Sequence, residues 1–96
     1  MLILITYDVA TSSKNGPRRL RKVAKKCQDY GQRVQNSVFE CVVDATELVK
    51  LKNELIDLID EELDSLRIYR LGNNYQNKVE HIGAKESFDV EAPLIF

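Results

Sequence analysis

The spacing of apolar residues along this 96-residue chain predicts an α+β domain with the element order β-α-β-β-α-β. Three observations carry that expectation. A β-branched apolar run at the start of the chain, Leu2-Ile3-Leu4-Ile5-Thr6-Tyr7, closes on Asp8. Two longer stretches repeat their apolar residues at helical spacing, and between them stand two short runs suited to a hairpin. A further strand-like run, Leu66 to Leu71, follows the second helical stretch.

Taken in order, the run from Leu2 to Asp8 has the pattern of a central strand buried on its faces. Val9 to Gly16 follows as a polar loop of turn formers, Thr11, Ser12, Ser13, Asn15 and Gly16. Pro17 suits the first turn of a helix, because its missing N–H has no partner to lose there. Leu20, Val23, Ala24 and Cys27 then stand at i, i+3, i+4 and i+7, with Arg and Lys filling most of the positions between. Gly31 is the expected stop. Arg33-Val34-Gln35 and Val38 to Val43 read as strands joined through Asn36-Ser37, whose residue types permit a tight turn. Asp44-Ala45-Thr46-Glu47 has the form of a capping box, so a second helix begins there and buries Leu48, Leu51, Leu55, Leu58 and Ile59. The acidic residues from Asp57 to Asp64 are placed at the end of this helix, opposed to its dipole at a cost of about 0.3–1 kcal/mol per charge in the last turn.

Leu66 to Leu71 is the fourth strand, and Gly72-Asn73-Asn74 turns into a shorter strand at Val79 to Gly83. This order is the ferredoxin-like, split βαβ arrangement, with the helices on one face of an antiparallel sheet and the other face open. An open face calls for a partner. The tail holds Val90, Leu94, Ile95 and Phe96, but Pro93 bars it from a central strand. Residues 84–96 are therefore expected to add to a sheet edge of a second subunit.

Length and composition set the outer bounds. The chain fits one domain, residues 1–96, and its 44% hydrophobic and 30% charged content is that of a globular protein. The longest apolar run falls far short of the roughly 20 residues of a membrane helix, so a cytoplasmic protein with no membrane partner is expected. Cys27 and Cys41 form no CxxC motif and are assigned to the core. The net charge is only −1, but it is segregated. Lys14, Arg18, Arg19, Arg21, Lys22, Lys25, Lys26 and Arg33 lie in the first part of the chain, whereas the acidic residues crowd its middle. A basic end of this kind could hold phosphate.

Asp8 carries the chemistry that the sequence offers. A carboxylate closing a hydrophobic strand is held at the core's edge and can still meet a metal. A hard cation such as Mg²⁺ needs one or two carboxylates besides water and phosphate, and a two-fold axis near Asp8 would bring the second from another chain. The alternative is an Asp that caps the turn through Val9 to Thr11. Other chemistries lack material. His81 is the only histidine, which leaves no triad, and no phosphate-binding glycine motif surrounds Gly16, Gly31, Gly72 or Gly83. Val38-Phe39-Glu40-Cys41-Val42 holds a single ring, unlike the aromatic strands of RNA-recognition modules.

Three segments together resemble the CRISPR-associated endoribonuclease family in its shorter bacterial form: Leu4-Ile5-Thr6-Tyr7-Asp8-Val9, Tyr30-Gly31-Gln32-Arg33-Val34-Gln35-Asn36-Ser37-Val38-Phe39-Glu40-Cys41, and Arg67-Ile68-Tyr69-Arg70-Leu71. The resemblance spans nearly the whole chain. It implies a homodimer whose paired Asp8 carboxylates bind Mg²⁺ or Mn²⁺ at the dimer cleft, where an activated water attacks a phosphodiester of single-stranded RNA or double-stranded DNA. In that reading Asp8 is catalytic residue and metal ligand. Tyr7 packs beside it or orients phosphate, Arg18, Arg19 and Arg33 steer the backbone, and Ser37 and Phe39 shape the cleft. The same resemblance implies a place in CRISPR spacer acquisition and antiviral defence, with the integrase subunit as partner. A noncatalytic alternative follows from it as well, a dimer that bridges two integrase dimers and binds duplex DNA.

Overall fold

The computed structural model describes residues 1–83. They form β1 (Leu2–Asp8), α1 (Gly16–Tyr30), β2 (Gly31–Gln35), β3 (Val38–Val42), α2 (Ala45–Leu58) and β4 (Ser65–Gly72). The expected β-α-β-β-α-β order is the order found. The four strands make one antiparallel sheet in the order β2-β3-β1-β4, so the first strand lies inside and β2 and β4 are the edges.

Strand alternation divides β1 between two surfaces. Ile3, Ile5 and Tyr7 join Phe39, Cys41 and Val43 in the core, against Val23 and Cys27 of α1 and Leu48, Leu51 and Leu55 of α2. Leu20, Ala24, Leu58 and Ile59 pack at the margins of that core, as their helical spacing anticipated. The alternate residues Leu4, Thr6 and Asp8 point to the opposite face, in register with Glu40 and Tyr69, with Val38 and Arg67, and with Ser65. That face is not covered by a helix.

The junctions follow from local chemistry. Asp44 accepts the Glu47 amide at 2.7 Å while the Glu47 carboxylate accepts the Asp44 amide at 3.0 Å, completing the capping box that starts α2. Gly31 does end α1, but for a different reason than expected. Its backbone is extended, with φ −165°, and does not take the left-handed form of a capping glycine. A Cβ there would strike the Glu40 carbonyl oxygen and lie 2.8 Å from Cys41 Cα, so close strand approach is what demands glycine. Asn15 takes the left-handed conformation, φ 62°, just before α1.

Two sequence expectations are corrected. α2 stops at Leu58, and Asp60 to Asp64 belong to the following turn instead of the helix end. Val79 to Gly83 forms no strand among the described residues and pairs with neither described edge, and Val79, His81 and Ile82 are exposed. The expected pairing of residues 84–96 lies outside the described residues.

Candidate functional site

Asp8 ends β1 on the uncovered face, exposed, with Ser65 as its cross-strand register partner. Its carboxylate makes no hydrogen bond or ion pair with the described residues. The turn-capping alternative for Asp8 is thus not what the structure shows. The backbone after Asp8 is instead held from outside. The Ala10 amide donates to Asp64 Oδ1 at 2.9 Å, and the Ser13 hydroxyl donates to the Ala10 carbonyl.

The other expected site residues do not gather round Asp8. Tyr7 lies in the core on the other face, its ring centroid 6.2 Å from that of Phe39. Burial raises its phenol above the ordinary value. Phe39 is fully buried and shapes the core from beneath, not an open cleft. Arg33 places its guanidinium 5.2 Å from the Phe39 ring centroid, within cation–π range. Ser37 joins this cluster through its carbonyl, which accepts the Tyr7 amide at 3.2 Å. Tyr7, Arg33, Ser37 and Phe39 are therefore one group at the β2 side of the sheet. Asp8 stands on the reverse surface.

Arg18 and Arg19 part company although they are neighbours. Arg18 is exposed, with Arg21, Lys22 and Lys25, on the outer side of α1. Arg19 turns inward. Its Nε donates to Asp64 Oδ2 at 2.8 Å, its Nη2 to Asp64 Oδ1 at 3.2 Å and to Ser13 Oγ at 2.7 Å, and its Nη1 to the Lys14 carbonyl at 2.9 Å. The guanidinium holds the Asp64 carboxyl well below its ordinary value, at about 2. Sequence reading missed Asp64 because it counted as one acid in a run. The clue lay in its place, immediately before a strand.

Among the described residues a metal would find one carboxylate, Asp8, at this strand end. Among the described residues no three His, Cys, Asp or Glu side chains converge. An exposed, unengaged pair of carboxylate oxygens is the donor type that a hard cation takes. No described helix is long and apolar enough to cross a membrane.

The fold is a small split βαβ domain of the α+β class, with one unengaged acid at the end of an inner strand on an uncovered sheet face. Comparison with known proteins narrows the class. A family model described as "CRISPR associated protein Cas2" matches residues 1–79. The chain is 76% identical over 96 residues to "CRISPR-associated endonuclease Cas2" of Halalkalibacterium halodurans, covering 100% of each chain. It is 60% identical over 95 residues to "CRISPR-associated endoribonuclease Cas2" of Nitratidesulfovibrio vulgaris, covering 99% of this chain and 93% of that one. The crystal structure of Streptococcus pyogenes Cas2 at pH 6.5 superposes with a TM-score of 0.76 at 57% identity, over 86% of this chain and 100% of the other. The chain belongs to the CRISPR-associated Cas2 family.

Proposed function

We propose that the protein is a metal-dependent endonuclease of CRISPR spacer acquisition, cleaving phosphodiester bonds of RNA or double-stranded DNA as a cytoplasmic homodimer. The observation that supports it is Asp8, an exposed acid with no described partner, carried on an otherwise apolar central strand. Relatives named endonuclease and endoribonuclease share the length of this chain. The dimer forms through the uncovered sheet faces, which brings Asp8 of each chain to one cleft.

Asp8 would hold Mg²⁺ or Mn²⁺, with the second carboxylate given by the other copy. Such an ion supplies Lewis acidity to the scissile phosphate and lowers the pKa of the attacking water. Asp8 orients the ligand set from a strand end whose backbone is held by Asp64. Ser65, across from Asp8, gives a hydroxyl on the same face. Arg18, Arg21, Lys22 and Lys25 offer an exposed cationic surface to the nucleic-acid backbone. Arg33 draws phosphate only from the β2 edge, since its guanidinium lies over Phe39.

That basic helix surface also favours a second reading, the noncatalytic dimer that bridges integrase subunits and binds duplex DNA. A nuclease assay on labelled duplex DNA and single-stranded RNA separates the two. With Mg²⁺ or Mn²⁺, cleavage that vanishes with EDTA and in Asp8→Asn supports the enzyme. Cleavage that persists in Asp8→Asn removes Asp8 as the catalytic ligand, and none at all in the native chain leaves the bridge.

A further inference from the structure

The four hydrogen bonds on Asp64 join three segments that are far apart in sequence. Oδ1 accepts from the Ala10 amide at 2.9 Å and from Arg19 Nη2 at 3.2 Å, and Oδ2 accepts from Arg19 Nε at 2.8 Å and the Asp60 amide at 2.9 Å. Arg19 carries the connection into the loop through Ser13 Oγ and the Lys14 carbonyl. One carboxylate and one guanidinium thus tie together the chain leaving β1, the first turns of α1 and the turn entering β4. Both ends of this tie are close to the candidate site. Ala10 follows Asp8 by two residues, and Asp64 immediately precedes Ser65, the register partner of Asp8.

We propose that Arg19 and Asp64 are a positioning pair that sets the direction of the Asp8 carboxylate toward a divalent cation, and that Arg19 does not contact phosphate. The proposal rests on the reading of Asp8 as the metal ligand. Its first support is geometric. Asp8 has no side-chain partner among the described residues, so its orientation is inherited from the backbone on either side. On the β1 side that backbone enters the Val9–Asn15 loop, and the Ala10 amide bond to Asp64 is what joins the loop to the β4 end.

The second support is the state of the guanidinium. Four N–H contacts are already made inside the protein, and the Asp64 side chain is 0% exposed. Drawing Arg19 away to a phosphate would leave a buried carboxylate without its counter-charge, which is strongly unfavourable. Arg18, exposed one residue earlier, has no such engagement and is free to meet nucleic acid. Partners that hydrogen-bond a metal ligand directly are worth ten- to a hundredfold in affinity; Asp64 acts on Asp8 only through the Ala10 backbone, so its removal is expected to act at the lower end of that range.

The full chain tests this with Asp64→Asn, Arg19→Lys and Asp8→Asn. Mn²⁺ is titrated while the amide signals of Val9 and Ala10 are followed for paramagnetic broadening, and kcat and KM are measured on the nucleic acid that the native protein cleaves. In Asp64→Asn the Mn²⁺ needed for half-maximal broadening is expected to rise roughly tenfold and kcat to fall by about as much, with KM unchanged. Arg19→Lys, which keeps the charge but not the fork, is expected to fall between native and Asp64→Asn, and it carries the comparison if Asp64→Asn does not fold. An Arg19→Lys effect confined to KM and its salt dependence, with the Mn²⁺ titration unmoved, would overturn the proposal and make Arg19 a phosphate contact. Loss of broadening in Asp8→Asn alongside native behaviour in Asp64→Asn would overturn positioning alone. Broadening that survives in Asp8→Asn would overturn the metal-ligand reading beneath it.

Discussion

Tyr7 and Asp8 are consecutive residues on opposite faces of the sheet, the first stacked on Phe39 in the core and the second exposed across from Ser65. The alternation of a strand separates packing from chemistry within one peptide unit. Phe39→Ala is therefore expected to cost about 3–5 kcal/mol, the range for emptying a fully buried aromatic site. Asp8→Asn is expected to change stability by no more than about 0.5 kcal/mol, as exposed substitutions do. Urea unfolding at one fixed protein concentration measures the two together; a large loss in Asp8→Asn would contradict this division of roles.

Asp64 gives the fold an acid limit. Its carboxyl, ordinarily at 3.8, is lowered to about 2 by Arg19 and by the amides of Asp60 and Ala10. The unfolded chain therefore binds the proton first as pH falls, and stability rises with pH across this window. The contribution is complete above about pH 5 and is lost as pH drops through 3.8 toward about 2. Thermal melts of the native chain are expected to fall steeply over that interval, whereas Asp64→Asn starts lower by roughly 5–10 °C at neutral pH and shows a shallower acid slope.

Gly31→Ala distinguishes close approach from conformational freedom. Alanine raises helix propensity and suits the extended backbone of Gly31, yet its Cβ would lie 2.5 Å from Cys41 Sγ and 2.8 Å from Cys41 Cα. Overpacking against β3 is expected to cost about 1–3 kcal/mol. A shift in the denaturant midpoint measures it, and a neutral or stabilising effect would mean that the strands separate easily there.

Cys27 and Cys41 are expected to be inert thiols. Both are fully buried, and burial pushes each to about 12, so almost no thiolate is present near neutrality. Reaction with a disulfide reagent at pH 8 is expected to be slow in the folded chain and fast in denaturant. Rapid labelling of the native protein at two thiols would contradict that placement.

Much of the fold was legible because it rests on short-range rules. Leu20, Val23, Ala24 and Cys27 announce their shared face by spacing, Asp44 and Glu47 announce a helix start, and Asn36-Ser37 fits the turn found between β2 and β3. Val79 to Gly83 misled because strand-like residues make a strand only when they pair with an edge, and among the described residues this segment pairs with neither β2 nor β4. The candidate site was legible in one residue. Asp8 stood out as an acid ending an apolar run, but Tyr7, expected beside it, packs in the core on the other face, Phe39 looked like a cleft residue and is core, and Arg19 looked like a phosphate contact and is spoken for by Asp64.

The sequence by itself determined the order of elements, the apolar faces and the exposed acid, because periodicity and capping depend on neighbours a few residues apart. Only the tertiary structure decided which charges are engaged. Arg19 and Asp64 lie 45 residues apart, and nothing local distinguishes Arg19 from Arg18 or says which cation Asp64 meets. Folding brings the end of β1, the start of α1 and the start of β4 to one corner, and there a guanidinium and a buried carboxylate must satisfy each other before either can serve a ligand.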